Sequence, residues 1–339
     1  MSAARWAAAG TATSSALMSA AHSFFAGAKN GDLAAVKHGL AQGTAIDATE
    51  APAGLTALSL ACKFGHAAVV QFLVEAGADR GARDPNGVTA LMLASLFGRL
   101  AVTEYLLAQG GAAAEAGAAA ADGKTALILA CDTGETECAR RLVRAQPELV
   151  HRADKGGLTP LHAAAAGGHL PCARFLVAEA GADVNARDDD GDTPLAHGGG
   201  GGHGAVVELL LASGAQADFF LRAMCGCAEA VAAALAAGQP VDAVDDDGAT
   251  ALMGAAAKGH LPVVVLLLEG GAGVDLKAGP GLTALLMAAS EGHLPVVQRL
   301  LAAGADASAE LDGMSAAELA AEGGHVDVAK CLEQAVAER

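Results

Sequence analysis

Residues 281–306, GLTALLMAASEGHLPVVQRLLAAGAD, decide the fold. Thr283 stands where an N-cap hydroxyl would accept a backbone N–H, just before an Ala/Leu run of helical spacing. Gly292 can end that run in a left-handed conformation that costs only glycine little. Pro295 stands in the first turn of a second run, VVQRLL, which stops at GAD. The stretch therefore spells two short helices joined by a turn.

The same pattern returns along the chain at 54–84, 87–110, 123–146, 157–188 and 248–275. Its central glycines are Gly31, Gly65, Gly98, Gly134, Gly168, Gly202, Gly226, Gly259, Gly292 and Gly324, at intervals of 34, 33, 36, 34, 34, 24, 33, 33 and 32. Thr56, Thr89, Thr125, Thr159, Thr193 and Thr250 repeat the cap of Thr283, and Pro160 and Pro194 follow two of them at the first helical position. DPNG at 84–87 and DDDG at 188–191 and 245–248 place Asp first and Gly last, as a type I turn prefers. One unit thus reads helix, turn, helix, tight hairpin. A unit this small buries its apolar face only by stacking on its neighbours. Aromatics are 3% of the 339 residues against 53% hydrophobic, so the core is built from closely packed Ala, Leu and Val.

The pattern G-x-T-[AP]-L-x-x-A-x-x-x-G-H-x-x-V-V-x-x-L-L-x-x-G-A-D resembles the ankyrin repeat over about ten units, from residue 20 to 339. The resemblance implies an all-α solenoid of stacked helix-turn-helix units with hairpin loops projecting from one edge and a concave face that binds proteins. Residues 20–47 lack the Thr-x-Leu opening, and 313–339 replace Thr by Ser315, as polar capping units should. Residues 1–19 read as a disordered tail or a weak transit-like segment, rich in Ala, Ser and Thr and without an acid.

The formal charge of −17 disfavours nucleic acid and anionic membrane as partners, since both are bound through Lys and Arg. No apolar run of about 18 residues free of charge and glycine is present to span a membrane. Seven cysteines without disulfide-like spacing point to a reducing, cytoplasmic setting. Import into an organelle through residues 1–25 is the alternative location.

Catalytic and metal chemistry find little support. His66, His169, His203, His260, His293 and His325 each follow a central glycine, one repeat apart. Helix packing spaces them by about 8 to 10 Å, too far for one zinc ion. By the family resemblance, His162 of TPLH serves as a hydrogen-bonding post. Cys62 and Cys131 share one first-helix site, and Cys138 and Cys172 another, which fits small buried residues; CGC at 225–227 lacks a second pair. DDDGDT at 188–193 fails as a calcium loop because Ala186 and His197 occupy the first and twelfth ligand places. No catalytic, cofactor or metal site is expected, and the chain reads as a non-enzyme.

The expected function is a monomeric scaffold that binds a protein partner through its hairpin tips and concave face, without nucleic acid or membrane. A regulatory or targeting subunit directed to an organelle by its N-terminal segment is the alternative. In the resemblance, the two residues before each central glycine face a partner. Lys63, Phe64, Leu96 and Phe97 place large side chains there, either as an interface or packed on hairpin stems. Asp188, Asp189, Asp190, Asp245, Asp246 and Asp247 form acidic tips that would recruit a basic partner or simply face solvent.

HGGGGGHG at 197–204 spaces its glycines as a phosphate loop would, but no strand precedes them. In register, Gly198 to Gly201 end a first helix and weaken it. The short interval after Gly202 deletes a hairpin, and 218–242 resembles the N-terminal unit. A joint between sub-stacks 20–216 and 217–339 is therefore expected.

Overall fold

A computed structural model of the chain describes residues 19–109, 111, 115–245 and 247–337. The transit-like segment before residue 19 and Asp246 lie outside these residues. The chain forms two compact units, one running through Asp183 together with Arg187–Gly191, the other formed by Val184–Ala186 and the chain from Asp192 onward. The 216/217 joint inferred from the short repeat interval falls inside the second unit.

The first unit stacks five helix pairs: 19–30 with Leu33–Ala41, Ala57–Phe64 with Ala67–Glu75, Ala90–Leu96 with Leu100–Ala108, Ala126–Asp132 with Thr136–Ala145, and Pro160–Ala166 with Leu170–Ala178. The second stacks another five, from Pro194–Gly200 with Gly204–Ala212 to Ala316–Glu322 with Val326–Ala337. This is the all-α solenoid expected from the sequence. The seven threonines each accept the N–H three residues on at 3.1 to 3.5 Å. All ten central glycines have φ between +64° and +84°. Leu58, Leu91, Leu127 and Leu161 recur at one first-helix position and are fully buried, as are Val263, Leu267, Val297 and Leu300 in second helices.

At the short interval the hairpin is indeed missing. The chain runs from Gly214 directly to Asp218, whose carboxylate replaces the threonine cap by accepting from Leu221 N at 2.6 Å. The glycine-rich segment forms the helix Pro194–Gly200, closed by Thr193. Its glycines are not equivalent. A methyl on Gly199 would overlap the thiol of Cys225, which ends the first helix of the next repeat (Phe219–Met224), whereas one on Gly200 would meet nothing within 4 Å. The helix is therefore thinned where its neighbour approaches.

Gly200→Ala is expected to stabilise the chain by about 1 kcal/mol through helix propensity. Gly199→Ala gains the same term but overpacks against Cys225 at about 1 to 3 kcal/mol, for a net loss of about 1. Opposite shifts of the urea midpoint check this; equal shifts contradict it.

Candidate protein-docking strip

At several repeats the residue after the central glycine links its unit to the one before. In the first unit, His66 Nε2 meets the Lys29 carbonyl at 2.7 Å and His169 Nε2 meets that of Asp132 at 2.9 Å; in the second, His293 meets Ala257 at 3.0 Å. Each of these carbonyls lies two residues before the preceding central glycine. His260 faces the Met224 carbonyl without closing a bond of good geometry, and burial holds its pKa below the ordinary range. His66, His169 and His293 thus act as cross-repeat clamps. His162 closes a reciprocal cap with Thr159, its Nδ1 at 2.8 Å from the hydroxyl.

At two repeats without the histidine, other donors take the equivalent carbonyl. Arg99 donates from Nε to Lys63 O at 3.0 Å. Glu135 cannot donate as a carboxylate, and Thr133, two residues earlier, gives its hydroxyl to Leu96 O at 3.0 Å. These substitutions were invisible in the sequence because donor and acceptor lie 36 to 37 residues apart. A second seam was missed as well: Asp47, Asn185, Asp242 and Asp275 accept from backbone N–H groups of the following repeat at 2.7 to 2.9 Å.

The first-helix ends also present side chains. Phe64 and Phe97 are 42% and 39% exposed on adjacent repeats. The ammonium of half-buried Lys63 lies over both, 5.8 Å from the Phe64 centroid and 5.2 Å from that of Phe97. His66 stacks on Phe64 at 6.4 Å, and Leu96 is half-buried beside Phe97. The four residues singled out from the sequence therefore lie on one strip, with the rings open to solvent.

The acidic tips divide by role. Asp188 accepts from Asp190 N at 3.1 Å, and Asp245 accepts from Asp247 N at 3.0 Å and Ala249 N at 2.7 Å, so the first aspartate of each tip builds the turn. Asp189, Asp190 and Asp247 are exposed. Successive hairpins of the first unit are themselves linked: Ala121 N donates to Asn86 O at 2.8 Å, Lys155 N to Asp122 O at 2.9 Å, and Asp189 N to Gly156 O at 3.1 Å. The charge is unevenly shared. The first unit has 19 acids against 15 bases, the second 19 against 6.

The buried cysteines are packing groups. Cys62 is fully buried, which pushes its thiol pKa well up, and Cys172 Sγ contacts Cys131 Sγ at 3.4 Å inside the first unit. Burial likewise raises Cys225, to about 12. Thiols held protonated in this way are poor nucleophiles.

A family model for ankyrin repeats matches residues 24–117, 111–188, 147–220, 219–310 and 270–337. The chain belongs to the ankyrin-repeat family. A search of curated proteins returns no match to it. Ankyrin repeats generally mediate protein–protein interaction and are typically non-catalytic, so the family directs attention to surfaces rather than to a reaction centre. Among the described residues, no helix of this ankyrin array is long and apolar enough to cross a membrane.

Proposed function

We propose that the chain is a non-catalytic scaffold that holds a protein partner against the strip formed by Lys63, Phe64, Leu96 and Phe97, on the face that ankyrin arrays use for recognition. The observation that carries this reading is the pair of open aromatic rings on adjacent repeats, bridged by one ammonium. Exposed rings with a preset geometry lose little entropy when covered, and such residues dominate interface energies. The acid excess of the second unit supports an electrostatic role at its exposed tip Asp247, and Asp189 and Asp190 offer an exposed acidic tip in the first unit; a basic partner segment would be drawn to such tips at low salt.

A photo-crosslinking residue tests the location. Asn30 precedes its central glycine as Phe64 does and is exposed; Gln71 is exposed on the second helix of the next repeat. Benzoylphenylalanine at Asn30 is expected to trap a partner in cell extract that the same group at Gln71 does not. Equal trapping at both positions would overturn the assignment of this face.

A further inference from the structure

The strip has a charge order as well as an apolar centre. Lys29, at its start, is paired with Glu50 at 2.8 Å. Lys63 is in contact with the two rings but pairs with no carboxylate among the described residues. Two repeats further on, Asp132 is exposed at the position equivalent to Lys63. Phe64, Leu96 and Phe97 lie between this cation and this anion.

Three backbone carbonyls of the floor between them are already engaged: those of Lys63, Leu96 and Asp132 are taken by Arg99, Thr133 and His169. The side chains of the strip offer a ligand an ammonium, aromatic edges and a carboxylate. Successive repeats are about 10 Å apart at helix-packing distance, and an extended chain advances about 3.3 Å per residue. One repeat therefore corresponds to about three ligand residues.

Resting on the docking reading above, we propose that the strip binds an extended peptide segment of another protein that carries an acidic residue, an apolar or aromatic anchor about three residues on, and a basic residue about three further. The acid pairs with Lys63, the anchor covers Phe64, Leu96 and Phe97, and the base reaches Asp132. A peptide of the opposite charge order sets its base beside Lys63 and its acid beside Asp132. Like charges brought together at a closed contact cost affinity, and that penalty gives the strip a polarity.

The test is panning of random phage-displayed dodecapeptides on the intact chain and on three variants, with far-UV circular dichroism confirming that each is folded. On the natural chain, recovered peptides are expected to place acid and base about six residues apart around an apolar anchor. Lys63→Glu should deplete the acid at its position at least tenfold and enrich a base there, while Lys63→Arg keeps the natural preference. An unchanged charge order on Lys63→Glu overturns the proposed polarity. A pool unaffected by Phe64→Ala with Phe97→Ala, or no recovered pool on the natural chain, overturns the docking reading itself.

Discussion

Gly134→Ala is expected to lower stability by about 3 kcal/mol, a large effect for a turn residue. Its φ of +77° lies in the left-handed region, where a residue with a Cβ is disfavoured by about 1 to 2 kcal/mol. The new methyl would also stand 2.6 Å from Nδ1 of His169. That displaces the imidazole and breaks its bond to the Asp132 carbonyl, a loss of about 1 kcal/mol. Gly43→Ala isolates the first contribution, since φ there is +91° with nothing within 4 Å of the added methyl, and about 1 to 2 kcal/mol is expected. In a His169→Ala background the penalty of Gly134→Ala should shrink toward that of Gly43→Ala, because clamp and clash are already gone. Urea midpoints of the natural chain, the three single variants and the double variant read this. Equal losses for Gly134→Ala and Gly43→Ala would mean that the clamp contributes nothing.

The repeat architecture was legible because it rests on local chemistry. A threonine cap, a glycine with positive φ and a proline in the first turn each announce themselves at one position, and a period near 33 multiplies the signal. Asp218 shows the limit: it caps its helix as the threonines do, but without the Thr-x-Leu context it resembles any loop acid. The glycines of 197–204 were legible as weak helix formers, whereas the need for Gly199 comes from Cys225 of the next repeat and appears only in three dimensions.

The candidate site was legible in part for the same reason. Phe64, Leu96 and Phe97 stand out against small or polar residues at equivalent positions, but the bridging by Lys63 depends on the direction of its side chain. Among the acidic tips, sequence alone does not separate Asp188 and Asp245, which shape their turns, from Asp189, Asp190 and Asp247, which face solvent. The missing hairpin after Gly202 also has a physical counterpart. Cys227 stands where most repeats have the clamp histidine, and nothing lies within 4 Å of a methyl placed on Gly202.

Phe64→Ala and Phe97→Ala are each expected to weaken partner binding by about 2 kcal/mol, roughly 30-fold in Kd, the loss typical of an aromatic hot spot. Each ring is about 40% exposed and so offers a partner an open edge while the rest is covered by the array. The cation–π contact with Lys63 is worth about 0.5 to 1 kcal/mol at such a site, and the covered part of each ring adds its own apolar burial to the cost in stability. A variant that stays folded and still loses affinity separates docking from a loosened repeat.

The most direct test is isothermal titration of the partner trapped at Asn30 against the natural chain, Phe64→Ala and Phe97→Ala, with far-UV circular dichroism recorded on each. Docking on the strip predicts losses of about 30-fold for each variant with unchanged helical signal. Dissociation constants within about twofold of the natural chain, less than about 0.5 kcal/mol, would contradict it.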